Sequence, residues 1–121
     1  MNCNLGEGST SPSAYPVYKK MSNIKNPSMM YVFLDEREDS INDGWFKQQP
    51  DKPYFLVDWP ASYHNRACGL SFADGHSEIR RWRGSGICPP LGQGLPLGVD
   101  MPGEQDVLWL QQRAAGAASY P

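Results

Sequence analysis

Along the chain, short apolar runs alternate with polar stretches rich in glycine and proline. Residues 29–36, MMYVFLDE, form a continuous apolar run with valine and aromatics, closed by acids. Its length and composition predict a central strand. Residues 54–60, YFLVDWP, predict a second strand stopped by Pro60. Two more strand-length pieces follow, ACGLSFA at 67–73 and HSEIRRW at 76–82. Asp74-Gly75 between them is a two-residue hairpin signal. Leu70 and Phe72 share one face of the first piece. On the second, Ser77, Ile79 and Arg81 alternate with Glu78, Arg80 and Trp82.

Helical periodicity is confined to the end of the chain. Val107, Leu110 and Ala114 recur at i, i+3 and i+7 with Leu108 beside them, predicting a helix over 104–115. Glu104 and Asp106 fall where the amino end of a helix dipole favours acids. The last residues, GAASYP, are expected to fray. Residues 1–28 are loop-rich, and YPVYKKMSNI, closed in by Pro16 and Pro27, has room for at most a turn or two of helix or a short strand. Residues 84–103 hold six Gly and four Pro, which excludes long regular structure. They predict a strap across the sheet, anchored by Ile87, Leu91, Leu95, Leu97 and Val99. Asn42-Asp43-Gly44 marks another turn. The expectation is one α+β domain over residues 1–121, with a small antiparallel sheet, a long Gly/Pro-rich loop and a short C-terminal helix.

Composition narrows the function classes. The 121 residues are 40% hydrophobic and 20% charged, the balance of a folded chain with one modest core. A net charge of −2 supplies no global basic field for nucleic acid. Arg80, Arg81 and Arg83 with Glu78 read as a solvated outer face, on which Trp82 could stack a guanidinium. No window is apolar for long enough to span a membrane. The N-terminus lacks the layout of a secretory signal, and Met1 runs straight into loop-type sequence, so a preceding segment is expected. Cys3, Cys68 and Cys88 leave open one disulfide with a free thiol, or three free thiols.

The sequence offers residues for three kinds of chemistry. His64, Cys68, His76 and Cys88 are enough donors in kind for tetrahedral zinc, but they lack paired-ligand spacing. Asp35, Glu36, Glu38, Asp39 and Asp43 crowd five acids into nine residues and are candidate calcium ligands. Against calcium, Ile41 occupies a ligand position of an EF-hand register and no bidentate Glu follows; the alternative is a solvated acidic loop with Arg37 offsetting charge. Catalytic motifs are each missing a part. His76-Ser77-Glu78 has no accompanying cysteine pair, and Gly69–Ala73 sits in a strand rather than a nucleophile elbow. In the architectural alternative, Asp74 caps its own turn. His64, one strand-length upstream, is then placed to donate to that carboxylate or to a nearby carbonyl.

His64, nine residues, then Asp74-Gly75 resembles the H-X9-DG signature of prepilin-like proteins of planctomycete and verrucomicrobial type. The blocks NPSMMYVFLDEREDSINDGWF, WPASYHN, GLSFADGHSEIRRW and DVLWLQQR are similar to that family and stand in its order, covering residues 1 to 114. The resemblance implies a pseudopilin head, normally preceded by a leader and a long hydrophobic helix that anchors and packs the subunit. It implies assembly with other pilin-like subunits or secretion machinery, as in type II secretion and type IV pilus systems, outside the cytoplasm and without catalysis. It brings no nucleic-acid partner, and membrane contact only through a helix absent from these residues; homo-oligomers are compatible with it. Calcium in a head loop of related major pseudopilins points to the Asp35–Asp43 segment. The alternative from another class is a carbohydrate- or polymer-binding module using Trp45, Trp59 and Trp82 as exposed platforms. A small metal-dependent enzyme is the third reading.

Overall fold

A computed structural model describes residues 1–6, 17–49, 51–92 and 94–114. It is a mixed structure of small antiparallel sheets and a short C-terminal helix. Strands β1 (Tyr31–Leu34), β3 (Ala67–Phe72) and β4 (Ser77–Arg81) form a sheet in the order β1-β3-β4. Strands β2 (Phe55–Leu56) and β5 (Val99–Asp100) form a two-stranded pair. The helix runs Gln105–Ala114, and the final residues expected to fray lie outside the described ones. Of YPVYKKMSNI, one 3-10 turn is formed, Met21–Asn23, while Tyr15 and Pro16 are not among the described residues.

The run predicted as a central strand lies at an edge; the centre is β3. The physical reason is a bulge. Tyr31 faces Phe72, but Phe33 faces Ser71 and Leu34 faces Leu70, so Val32 is an extra residue in β1. Its carbonyl accepts instead from Asn2 N at 2.8 Å. Tyr31 is thereby fully buried while Phe33, two residues on, turns to the outside and is 56% exposed. Continuous hydrophobicity here serves a bent edge with apolar residues on both faces, one of them open.

Beneath the sheet, Tyr31, Leu70 and Phe72 meet Trp82 and the helix residues Val107, Leu110 and Ala114 in one hydrophobic cluster. The predicted helix face is the buried face. The strap enters through Ile87, fully buried, with Leu95 and Val99 partly buried against the cluster. Burial of a side chain like Ile87 contributes about 1.5–3 kcal/mol. Leu91 and Leu97, expected as anchors, are 50% and 58% exposed. The strap is fastened by polar contacts at those points, as described below. One glycine in it is dictated by space: at Gly98, with φ +90°, a Cβ would lie 2.8 Å from the Phe55 ring.

Four buried polar side chains tie the pieces together. Asn2 Nδ2 donates to the carbonyls of Tyr31 and Ala114 at 2.8 and 2.7 Å, joining the chain start to β1 and the helix end. Gln111 Nε2 donates to the carbonyls of Gln49, Lys52 and Phe55, and its Oε1 accepts from Tyr54 N at 2.9 Å. That fixes Tyr54 in the left-handed region, φ +65°. Trp59 and Trp82 each donate an indole N–H to a carbonyl, Pro96 at 3.0 Å and Ala61 at 2.9 Å. Each linkage satisfies a group that would otherwise cost about 1–3 kcal/mol to bury. Among the described residues no helix is long and apolar enough to cross a membrane.

Candidate functional site

The signature residues bound β3 at its two ends. At the far end, Gly75 N donates to Phe72 O at 3.0 Å and Phe72 N to His76 O at 2.9 Å. The hairpin loop is therefore Ala73-Asp74-Gly75, three residues rather than two, with Gly75 at φ +94° supplying the left-handed step. Asp74 Oδ1 accepts from His76 N at 3.1 Å and lies in very close contact with His76 Nδ1. The imidazole stacks on Phe72 with centroids 4.3 Å apart, and Nε2 faces Glu78 Oε1 at 3.3 Å. The hydrogen bond that the His76 ring makes to the Asp74 carboxylate raises the His76 pKa above the ordinary histidine value, and the same contact lowers that of Asp74. The brace expected from His64 is thus supplied by His76. A six-residue strand is about 20 Å long, and His64 sits at its other end.

His64 occupies a different kind of feature. His64, Asn65 and Arg66 take φ of +55°, +63° and +64° in succession, a left-handed turn closed by Ala67 N donating to Tyr63 O. Each left-handed non-glycine residue costs about 1–2 kcal/mol. Histidine and asparagine are among the non-glycine types that tolerate this region best, which accounts for His64-Asn65. Arg66 is not, and it is held from both sides: its carbonyl accepts from Trp82 N at 2.8 Å and its guanidinium donates to Gly84 O at 2.8 Å. The side chains of His64 and Asn65 are exposed. The turn and the strap enclose a concave surface of about 460 Å³ lined by Tyr63, Arg66, Cys88 and Pro89 among others.

The acidic loop is organised around a cation from the protein itself. Arg37 is fully buried, and its Nε and Nη2 donate to the two oxygens of Asp39 at 2.7 and 2.9 Å. The same guanidinium donates to the carbonyls of Pro89 and Pro90 at 2.7 and 3.1 Å. Asp39 Oδ2 also accepts from Gly92 N at 3.0 Å. The hydrogen bonds from Arg37 pull the Asp39 pKa down to about 2. Glu36 is engaged elsewhere, accepting from Ser40 Oγ at 3.0 Å, and burial pushes its pKa up to about 7. Asp43 caps its own turn, accepting from Trp45 N at 2.7 Å.

The calcium ligand set Asp35, Glu36, Glu38, Asp39 and Asp43 is therefore not assembled. Among the described residues no three His, Cys, Asp or Glu side chains converge to hold a metal. That statement covers His64, Cys68, His76 and Cys88 too. Cys3, Cys68 and Cys88 are free thiols. Burial raises all three pKa values, Cys68 to about 12, which is the reverse of an activated nucleophile.

The aromatic platform is likewise corrected. Trp59 and Trp82 are 5% and 2% exposed, members of the core with their N–H groups spent on carbonyls, and Trp45 is half-buried. Nor does Trp82 stack the arginines. Arg80 and Arg113 lie 4.6 and 4.0 Å over the ring of Trp109, a residue the sequence reading did not single out. Arg80 is not on a solvated face either: it donates to the fully buried Asp106 at 3.1 Å. Asp106 also accepts from the backbone of Arg83 and Gly84 at 2.8 and 2.7 Å, fixing the strap's first residues. Arg37 and Asp106 are the pivots that sequence reasoning missed: Arg37 stands between Glu36 and Glu38 and looks solvated, and Asp106 looks like an exposed acid at a helix start, until tertiary structure encloses them.

Comparisons with protein-family models, with curated proteins and with solved structures find no match to this chain.

Proposed function

We propose that this chain is the head of a pilin-like subunit, a non-enzymatic component of filament or type II secretion-like assembly at the cell envelope. The observation that carries the reading is the position of the signature. Its histidine lies in the left-handed turn that leads into β3, and its Asp-Gly lies in the hairpin that leaves it, so the nine-residue spacing measures the central strand of the sheet. A spacing with that role is architectural, and Arg66, Asp74 and His76 nearby are spent on the fold. Buried pairs at Arg37 and Asp106 hold a loop-rich structure in one shape, as a presenting surface requires. The α+β arrangement is compatible with a pseudopilin head, and the ordered blocks of resemblance support this choice of assembly system.

The reading is tested in the cells that make the protein. Antibody against residues 17–114 should label envelope or extracellular material, and deletion of the assembly ATPase should remove that label. A uniform cytoplasmic distribution unaffected by the deletion overturns the proposal.

A further inference from the structure

Among the described residues the outer edge of β4 is unpaired: the strand pairs only with β3, and a groove of about 560 Å³ lined by Ile79 to Arg83 runs beside it. Phe72 N bonds to His76 O and Trp82 N to Arg66 O, so His76 and Trp82 turn their backbone groups toward β3. Strand alternation extends this to Glu78 and Arg80. The N–H and C=O groups of Ser77, Ile79 and Arg81 consequently point away from the sheet. Ile79, at the middle of this open edge, is 82% exposed.

We infer that two copies of this chain pair antiparallel through β4, on a two-fold axis at Ile79. In that register Ile79 faces Ile79 and Ser77 faces Arg81, and all the outward backbone groups of both strands find partners. Glu78 of each copy faces Arg80 of the other, on the face opposite Ile79. The neighbouring registers are disfavoured by elementary rules. A one-residue slip sets outward backbone groups against inward ones, and no ladder forms. Moving the axis to Arg80 sets Arg80 against Arg80, and moving it to Glu78 sets Glu78 against Glu78; like charges directly opposite are destabilising. Charges on an edge strand commonly guard against pairing. Here opposite charges flank a central apolar residue, so they reject the in-phase registers on either side of this one. This surface is independent of the pilin reading and stands whether or not that reading holds.

Sedimentation equilibrium of the wild-type chain should show a reversible monomer–dimer equilibrium. Glu78→Arg, at an exposed position, should weaken it at least tenfold with an unchanged circular dichroism spectrum. In a Cys88→Ser background, Ile79→Cys should give a disulfide-linked dimer on oxidation, because facing residues in a hydrogen-bonded pair have Cα atoms about 5.5 Å apart. Ser77→Cys alone should not, its copies lying about 13 Å apart along the strands, whereas a mixture of Ser77→Cys and Arg81→Cys chains should cross-link. A wild-type chain monomeric up to millimolar concentration overturns the inference. So does Ser77→Cys cross-linking to itself as fast as Ile79→Cys.

Discussion

The guanidinium of Arg37 grips the carboxylate of Asp39 through two nitrogens and, from the same buried position, holds the carbonyls of Pro89 and Pro90. One side chain thus joins the loop after β1 to a segment more than fifty residues later. Arg37→Ala should lower unfolding free energy by about 3 kcal/mol or more, the range for removing one partner of a buried pair. Arg37→Lys should recover little of it, since a lysine cannot present a planar fork to the carboxylate and reach both carbonyls. Urea denaturation of the three proteins checks the order.

Stability should peak near pH 4 to 5. Asp39 has a depressed folded pKa of about 2, so its contribution is complete above its unfolded value and is lost as pH falls toward 2. Glu36 acts with the opposite sign. Its folded pKa is raised to about 7, so between 4.5 and 7 the folded state holds more protons than the unfolded one, and stability falls as pH rises through that window. Glu36→Gln should make the fall on the neutral side shallower and leave the acid side in place. Thermal denaturation across pH 2 to 8 reads both limbs.

The left-handed turn at His64–Arg66 makes an exposed residue matter. Among the described residues the exposed Asn65 side chain makes no hydrogen bond, yet Asn65→Val should destabilise by about 1–2 kcal/mol through backbone strain. Asn65→Gly should stay within about 1 kcal/mol of wild type, strain relief offsetting the extra freedom of the unfolded chain. Equal stability of the two variants would rule out the left-handed conformation.

The hairpin tip predicts a titration. In an NMR pH series His76 should titrate above ordinary histidines, and Asp74→Asn should bring it back toward them. An unchanged His76 in that variant would remove Asp74 as its partner.

Much of this fold is legible in the order of residues. The β3–β4 hairpin follows from its alternation and from Asp74-Gly75, and the helix from the spacing of Val107, Leu110 and Ala114. Local rules are enough there, because the partners are close in sequence. The sequence reading misplaced β1 because one bulged residue, Val32, reverses which face Phe33 takes, and hydropathy does not register a reversal. It misread Trp59 and Trp82 as surface platforms because an indole donates as readily to a buried carbonyl as it stacks on a ligand. The acidic loop looked like a cation site for a related reason: the cation is Arg37, and its burial depends on proline carbonyls far along the chain. Of the signature, the turn at Asp74-Gly75 was readable, while the left-handed turn at His64 depends on Trp82 and Gly84 gripping Arg66.

The strap's fastenings have an evolutionary corollary. At Pro89, Pro90 and Pro96 the strap offers only main-chain oxygens, and the side chains that take hold of them, Arg37 and Trp59, belong to the framework. Leu91 and Leu97 beside those points are left on the outside. Substitutions can respell the strap's outward letters while the clasps that hold it, set in other parts of the chain, stay as they are.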